Sequence, residues 1–439
     1  MQPMKKFLLL FFIPFNVSFA QQIDYKAKSA KIFEQIRNRE FSSVVALFDT
    51  NISKRIDTTR LRSTWDKLLP IAGPFVKVIG IEKDTSDTSN AIIQHLQFEK
   101  RKIDFKLVYS QNGKIKGIMF LPDKPRERYK LPSYHKPELI KDSVLSIQDG
   151  PFRLPGILTK PNKAGRFPAV ILIHGSGPND KDETVGPMKI FKDISIGLAS
   201  QGVAVYRYEK RTRVYSVISA LNKNFTVKDE TLEDAVSAYK LLKKDSTIDS
   251  TAIYLCGHGM GGMLLPRIAK IIPGVKGLIY LGSNARPLED IQYEQTVYVL
   301  GFDTLIKDHK TYLDSIKREV NKIKMLKPTD TDSSFIFRLP HSYWIDMNKY
   351  NPVKSAEELK TPMLFIFGDR DYQVTDVDLN LWKSGLKGSN VEFKSYKNLN
   401  HFFITGEGKS VPSEYGKSAN VDITMINDIA NWILSTSKK

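Results

Sequence analysis

The sharpest chemical pattern in the chain is the glycine-rich segment Gly257-His258-Gly259-Met260-Gly261-Gly262. It follows the apolar run 252–256 and precedes a helical pattern that begins at Met263. Glycines on both sides of a central position are typical of a tight strand-to-helix turn, because small neighbours let two backbone segments cross closely. The central residue of such a turn stands above the sheet, where a nucleophilic hydroxyl or thiol can act. Here that residue is Gly259, which has no side chain.

Two later segments carry groups that would complement such a turn. Asp371 follows the apolar run 363–367, 112 positions beyond Gly259, and Asp369 is a weaker candidate for the same role. His401 follows the next strand pattern, 30 positions beyond Asp371. An imidazole oriented by a carboxylate is the usual base for activating a hydroxyl or thiol. The alternatives are a core histidine for His401 and a loop N-cap for Asp371.

An earlier loop, His174-Gly175-Ser176-Gly177-Pro178, also follows an apolar strand pattern. Backbone N–H groups in a glycine-rich loop can stabilise a developing oxyanion. We therefore expect this loop to supply half of an oxyanion hole.

The glycines from 257 to 262 also satisfy the dinucleotide-binding pattern G-x-G-x-x-G. That interpretation requires an acidic residue at the end of the next strand, about 20 positions on. The next strand, 277–281, ends in Gly282-Ser283-Asn284, and the nearest acids are Glu289 and Asp290. No cofactor is therefore predicted. No metal site is predicted either, because the remaining histidines lack metal-ligand spacing.

The elements around these groups indicate an α/β fold. From about 140 to 437, strand and helix patterns alternate, which predicts a mostly parallel, doubly wound sheet. Thr231 and Asp234 form a capping-box pattern at the start of one helix. Between about 286 and 359 the strand rhythm stops, and helical spacings predict a cap insertion above the sheet.

A smaller unit precedes this one. Residues 23–127 begin with helical spacings and change to strand patterns after Pro74, which predicts an α+β domain with helices on an antiparallel meander. Residues 128–139 are proline-rich and charged, so we expect a linker there.

Several of these segments together resemble one family. They are 174–184, 207–212, 257–269, 343–344 and 371–374. They are similar to signatures of α/β hydrolases of the dienelactone-hydrolase and serine-aminopeptidase-like group. More closely, the chain resembles two-domain bacterial esterases with a small N-terminal α+β domain of unknown function.

The resemblance implies an α/β-hydrolase fold and hydrolysis of carboxylic esters, with a small ester or acyl-like molecule as ligand. It implies His401 as general base, Asp371 as the acid that orients it, and glycine at 259 in place of the nucleophilic serine. The implied oxyanion hole consists of Met260, Gly175, Ser176 and Gly177. His258 and Trp344 are candidates for the pocket wall, with core packing as the alternative.

The missing serine leaves three functional hypotheses. Losing the nucleophile of a triad costs on the order of a million-fold in turnover, and Cys256, His258 and Ser176 are poorly placed substitutes. The first hypothesis is therefore a pseudoenzyme that binds an ester-like or acyl-like ligand with weak or no acyl-enzyme activity. The second is a hydrolase that uses water activated by His401. The third is a non-catalytic ligand-binding or envelope-interaction module.

The first twenty residues predict export. Lys5 and Lys6 precede the apolar run 7–15, and Ser18-Phe19-Ala20 fits a cleavage site, which is typical of a signal peptide. No cysteine follows Ala20, so we expect a periplasmic or secreted protein without a lipid anchor. The single cysteine excludes an intrachain disulfide framework.

The net charge of +18 is concentrated near the N-terminus. Residues 21–134 hold 22 basic and 13 acidic side chains, whereas residues 135–439 hold 42 and 35. Nucleic acid is not expected as a partner, because no basic–aromatic motif is present. Two interpretations stay open for the small domain: weak attraction to anionic envelope surfaces, or a lysine-rich solvated face. Nothing in the sequence predicts an oligomeric state.

Overall fold

The computed structural model describes residues 23–53, 56–84, 90–122, 127–302, 308–330, 334–388 and 390–438. The chain divides into two compact units, Met1–Pro125 and Arg126–Lys439. The predicted signal peptide, 1–20, lies outside the described residues. In the described part of the chain, no helix combines the length and apolar character that crossing a membrane requires.

The described residues of the first unit form four helices and a four-stranded antiparallel sheet in the order β1-β2-β3-β4. Its elements are α1 (Tyr25–Arg37), α2 (Phe41–Val45), α3 (Thr50–Ser53), α4 (Thr58–Ala72), β1 (Phe75–Lys83), β2 (Asn90–Phe98), β3 (Lys102–Tyr109) and β4 (Ile115–Pro122). Asp24 caps α1 by accepting from two backbone N–H groups, and the helix buries Phe33 and Ile36. These side chains belong to the same core as Leu96 and Phe105 of the sheet. The predicted α+β arrangement is confirmed.

The second unit contains an eight-stranded sheet with helices on both faces. Its strands are β5 (Ile140–Val144), β6 (Ile147–Asp149), β7 (Phe152–Leu154), β8 (Gly156–Pro161), β9 (Phe167–Ile173), β10 (Thr184–Val185), β11 (Met188–Lys189), β12 (Ala204–Tyr208), β13 (Ile248–His258), β14 (Gly277–Leu281), β15 (Phe335–Ile336), β16 (Leu339–Pro340), β17 (Met363–Gly368) and β18 (Val391–Tyr396). Its α-helices are α5 (Ile190–Ser200), α6 (Arg211–Val214), α7 (Ser216–Leu221), α8 (Glu233–Lys243), α9 (Met260–Ile271), α10 (Leu288–Leu300), α11 (His309–Met325), α12 (His341–Asn348), α13 (Pro352–Glu357), α14 (Asp376–Gly385) and α15 (Ile423–Ser437).

The order of the large sheet is β18-β17-β14-β13-β9-β12-β8-β5. The six strands from β12 to β18 in this order are parallel, and β8 runs antiparallel to both of its neighbours. This is the mostly parallel sheet that the strand–helix alternation predicted, and the α/β-hydrolase fold is confirmed.

The central strands are apolar at successive positions because both faces of the sheet are covered. Ile171 and Ile173 of β9 belong to a core that includes residues of α8 and α9. Their neighbours Val170 and Leu172 belong to a second core, which includes residues of α5 and α15. The carboxyl ends of the parallel strands are thereby held at one edge, where the candidate site lies.

The predicted cap insertion contains helices α10 to α13. It also contains a short hairpin, β15–β16, that the helical spacings did not predict. Phe337 and Arg338 form the turn of this hairpin, and both have positive φ angles, of 48° and 66°. This conformation is rare for residues other than glycine.

One predicted helix start is wrong in detail. A short π-helical turn, Lys228–Leu232, precedes α8, and no side chain caps that helix. Asp234, the expected capping partner of Thr231, instead accepts from Arg211 at 3.0 Å. The carboxylate is thus used for a buried ion pair rather than for the helix terminus.

The predicted linker is anchored to the second unit. Tyr129 donates to the Asp193 carboxylate at 2.7 Å, and Tyr134 donates to the Val421 carbonyl at 3.0 Å. Asp193 is fully buried and also accepts from Asn420 and from the backbone of Val421. Burial raises the pKa of Asp193 from 3.8 to about 6, although these hydrogen bonds act in the opposite direction.

Replacing Asp193 by asparagine should change how stability depends on pH. Because the folded-state pKa is raised, the wild-type stabilisation from this group is present below about pH 4 and is lost as the pH rises through 6. A rise in the pKa of Asp193 from 3.8 to about 6 corresponds to about 3 kcal/mol. Asp193→Asn should therefore gain up to about that much relative to wild type between pH 4 and pH 7.

The measurement is urea unfolding of the full chain at several pH values. The exposed Asp376 provides the control variant Asp376→Asn. A difference between Asp193→Asn and wild type that does not vary with pH would contradict the prediction, as would the same trend in the control.

Candidate active site

The site is built around the turn between β13 and α9. Strand β13 ends at His258, α9 begins at Met260, and Gly259 lies between them with φ +51° and ψ −116°. A residue with a side chain adopts such a backbone only at a cost in free energy, whereas glycine has no Cβ to clash. The residue at 259 is therefore held at the apex of the turn.

The other glycines of the segment permit close crossing of backbones. A Cβ on Gly257 would collide with the backbone of Gly261, and a Cβ on Gly261 would collide with the Ile173 carbonyl. At Gly262 it would collide with the Ser283 side chain. Positions 257, 261 and 262 thus require glycine for steric reasons, and Gly259 has the positive φ of the turn, so the G-x-G-x-x-G pattern has an explanation without a nucleotide.

His401 and Asp371 are brought together beside this turn. His401 Nδ1 lies 2.6 Å from Asp371 Oδ2, and both side chains are buried. The other carboxylate oxygen, Oδ1, accepts the backbone N–H groups of Gln373 at 2.6 Å and Val374 at 3.0 Å. Asp369, the weaker candidate, is exposed. The geometry thus selects Asp371 as the partner of the imidazole.

Neighbouring polar groups hold the two loops in place. Arg370 donates to the carbonyls of Gly408 at 2.5 Å and Glu407 at 3.0 Å, and to the Glu414 carboxylate at 2.7 Å. Asn400 accepts from the backbone of Phe402 and Ile404 and donates to Glu414. These contacts tie the loop that carries the acid to the loop that carries the imidazole.

The free edge of the imidazole faces the apex of the turn. A Cβ built on Gly259 would lie 3.7 Å from His401 Nε2 and 3.7 Å from Asn284 Oδ1. Both distances are ordinary van der Waals contacts, so the space beside Gly259 accepts a small side chain. A hydroxyl on that carbon would come within hydrogen-bonding reach of Nε2.

The predicted oxyanion hole needs one correction. The N–H of Gly175 donates to Glu183 Oε1 at 2.8 Å, so it is not free to bind an oxyanion. Among the described residues, the N–H groups of Ser176 and Met260 meet no acceptor. Ser176 and Gly177 are exposed and line the same cavity as Met260. The N–H of Gly177 likewise meets no acceptor among the described residues, so Ser176, Gly177 and Met260 stay as the candidate donors.

His258 is part of a buried ion pair with Glu183. Their facing atoms, Nδ1 and Oε2, lie 3.2 Å apart, and His258 Nε2 lies 3.1 Å from the His401 carbonyl. Burial disfavours both charges, but their attraction outweighs it, so the pKa of His258 is raised and that of Glu183 is lowered. Since Glu183 also holds Gly175, the pair joins the oxyanion loop, the turn and the His401 loop.

A second buried ion pair connects the site to the cap insertion. Lys210 donates to Glu230 at 2.7 Å and to the Gly175 carbonyl at 2.8 Å. Tyr343 of α12 donates to the other Glu230 oxygen at 2.8 Å. The segments 207–212 and 343–344, which carried part of the family resemblance, therefore meet at one buried carboxylate.

A cavity of about 720 Å³ opens above Gly259. Its size is typical of sites for small molecules. Its wall contains the predicted pocket residues His258 and Trp344, and Trp344 is fixed by donating to the Ile336 carbonyl at 3.0 Å. The apolar part of the wall includes Phe225, Leu288, Ile291, Phe337, Val374 and Phe402. The cap insertion supplies much of this wall, together with the loops that carry Ser176, Asp371 and His401.

Cys256 is unsuited to act as a nucleophile. It is buried within β13, and burial raises the pKa of its thiol well above the usual range. In the described part of the chain, no group of three His, Cys, Asp or Glu side chains is placed to hold a metal ion.

Three functional positions were not predicted from the sequence: Glu183, Glu230 and Asn284. The first two are acids inside polar segments, and only their burial distinguishes them from surface acids. In the sequence, Asn284 only marks the absence of an acid after the strand 277–281, yet its side chain borders the apex of the turn. A signal was available in the segment 174–184, where the family resemblance already included Glu183.

Comparisons with known proteins give matches in both units of the chain. Residues 29–118 match a family model described as a protein of unknown function, DUF3887. Over 404 residues the chain is 35% identical to esterase EstD of Thermotoga maritima, and the match spans 91% of this chain and 93% of EstD. The similarity to EstD therefore extends through both units.

Solved structures of esterases and hydrolases are more distant. Est1E from Butyrivibrio proteoclasticus, solved with ferulic acid, matches with a TM-score of 0.46 and 16% identity, over 67% of this chain and 100% of Est1E. Dienelactone hydrolase from Anabaena variabilis matches with a TM-score of 0.41 and 12% identity, over 68% of this chain and 98% of that enzyme.

The Glu183–His258 pair predicts a graded loss of stability on mutation. Glu183→Ala should lower the free energy of unfolding by about 3–5 kcal/mol, because it leaves the buried Nδ1 of His258 and the Gly175 N–H without partners. Glu183→Gln should cost less than half as much, about 1–2 kcal/mol, because its amide oxygen still accepts from Gly175. Urea unfolding measures both, with the exposed Glu392→Ala as control. Equal and small losses for the two variants would contradict the bridging role.

Proposed function

Because the chain belongs to the family of α/β-hydrolase esterases that includes EstD of Thermotoga maritima, we propose that it binds ester-like or acyl-like molecules at the Gly259 turn with little acyl-enzyme turnover. In this proposal His401 is the general base, and Asp371 orients its imidazole. Ser176 and Met260 contribute the oxyanion-binding N–H groups. The cavity beneath the cap insertion holds the acyl group.

One observation carries the proposal: a positioned base faces an apex that has no side chain. His401 Nε2 lies 3.7 Å from the place of a Cβ on Gly259, and its other nitrogen is bound to Asp371. In acyl transfer, such a base takes the proton of a hydroxyl that then forms the acyl-enzyme. Glycine offers no hydroxyl, so the covalent route is closed, while the groups that bind the acyl part are retained.

A second candidate function is slow hydrolysis by activated water. The space beside Gly259 is bordered by His401 Nε2 and Asn284 Oδ1. A water molecule in that space would have a base and a second polar partner within reach. General-base catalysis of this kind contributes about 10²- to 10⁴-fold, which is far less than a complete triad supplies.

Restoring the hydroxyl tests the first proposal. Gly259→Ser should raise kcat/KM for p-nitrophenyl butyrate by about 10³-fold or more, because the nucleophile returns to a site whose other parts are in place. Gly259→Ala is the matched control, since it introduces the same Cβ without the hydroxyl and should gain nothing. A folded but inactive Gly259→Ser protein would show that the proposed base or oxyanion groups do not act together.

The water hypothesis predicts a different signature in the wild-type protein. Release of p-nitrophenol should be slow and linear, without a burst, because no acyl-enzyme accumulates. His401→Ala should lower this rate about a hundredfold or more. A residual rate that does not depend on His401 would exclude water activation and leave ligand binding as the function of the site.

A further inference from the structure

The place left empty at Gly259 is surrounded by groups that suit an anion with two oxygens. We propose that the protein is a receptor for carboxylates, the acids that ester hydrolysis releases, and that it binds them more tightly than neutral esters or amides. This inference rests on the proposed function, because it uses the same turn, imidazole and N–H groups.

The first carboxylate oxygen would bind at the N-terminus of α9. The N–H groups of Met260 and Ser176 meet no acceptor among the described residues, and both residues line the cavity. Met260 is the first residue of a twelve-residue helix, so the helix dipole adds to the attraction for negative charge.

The second oxygen would take the place of the absent side chain. His401 is more than nine-tenths buried, and its Nε2 faces that place. A protonated imidazole donates a charge-assisted hydrogen bond to a carboxylate oxygen, which is stronger than a bond between neutral groups. A side chain at 259 would occupy this space. An ester or amide carries no negative charge, so it forms only hydrogen bonds between neutral groups and the weaker attraction of a charged donor for a neutral acceptor.

Asn284 also borders this place, with Oδ1 nearest to it. The two ends of an amide exchange on rotation by 180°, and the rotated Asn284 presents Nδ2–H to the anion. The side chain is then a donor rather than a repelling acceptor.

The charges around His401 are compatible with an anion. The Asp371 carboxylate lies beside Nδ1 of His401. The ring centroids of His258 and His401 are 4.5 Å apart, and Glu183 pairs with Nδ1 of His258. Glu230, the other acid that lines the cavity, is neutralised by Lys210. Both cavity acids are thus already paired. Arg338, on the strained hairpin turn, lines the cavity and has no carboxylate partner among the described residues.

The remainder of the cavity sets the class of acid. Its volume of about 720 Å³ is larger than a carboxylate needs, and aromatic side chains such as Phe225, Phe337 and Trp344 form much of its wall. Such a wall favours an apolar tail, through burial of apolar surface and through ring contacts. We therefore infer an arylalkyl or similar apolar carboxylic acid as the ligand class.

The test compares 4-phenylbutyrate with 4-phenylbutyramide, its uncharged counterpart, by titration calorimetry on the full-length protein. The carboxylate should bind about tenfold or more tightly. Inorganic phosphate, an anion without an apolar tail, should bind at least tenfold more weakly than the carboxylate.

Gly259→Ala should weaken carboxylate binding about tenfold or more, because its methyl group occupies the space of the second oxygen. The matched control is Gly150→Ala, at an exposed turn where φ is +52° and no atom lies within 4 Å of the added Cβ. This control imposes similar backbone strain away from the site and should bind like wild type.

Equal affinity for acid and amide, or binding that Gly259→Ala leaves unchanged, would overturn the carboxylate proposal. Phosphate binding as tight as that of phenylbutyrate would overturn it too, because it would indicate a general anion site. The esterase activity of Gly259→Ser separates this failure from that of the parent proposal. If that variant is active while wild type does not prefer the acid, only the carboxylate inference fails.

Discussion

The close crossing of backbones around residues 257–262 is the constraint on which the site depends. Gly261 approaches the Ile173 carbonyl, and Gly262 approaches Ser283, so the turn is wedged between the neighbouring strands β9 and β14. No side chain fits at these contacts. The wedge fixes where residue 259 stands, and the loops that follow β17 and β18 bring Asp371 and His401 to that place. The apex is thus set by packing, whichever residue occupies it.

Buried ion pairs hold the loops around this turn in fixed positions. Glu183 and His258 connect the oxyanion loop to the turn, and Lys210 with Glu230 connects the same loop to the cap insertion. A buried ion pair repays its desolvation only when its geometry is good, and apolar residues of similar volume are often at least as stabilising. The second unit therefore retains interactions that contribute more to the arrangement of the site than to stability.

The sequence predicted the architecture well because its signals are local. Apolar runs such as 169–173 and 252–256 identify central strands, and chain order identifies the loops that carry Asp371 and His401. Interactions between distant segments were not predictable in this way. Asp234 matched a capping box, but the buried Arg211 of α6 donates to its carboxylate. Gly175 matched an oxyanion loop, but Glu183 already binds its N–H. The partner of Asp234 lies 23 positions away, whereas Glu183 lies only eight positions from Gly175, in a loop whose folded shape no local pattern specifies.

Glycine at 259 changes the chemistry of the site while leaving its architecture intact. It adopts the positive φ of the apex without the Cβ clash that a serine would have to tolerate, so the turn is less strained. The imidazole, its carboxylate and the backbone donors do not depend on that side chain for their positions, because each is held by contacts within its own loop or with neighbouring loops. Glycine offers no hydroxyl at this position and leaves space beside the buried imidazole of His401. In the proposed function, the site keeps the means to bind the acyl part of an ester but has no group at 259 that could become acylated. For this reason we propose binding rather than covalent catalysis as the activity of the site.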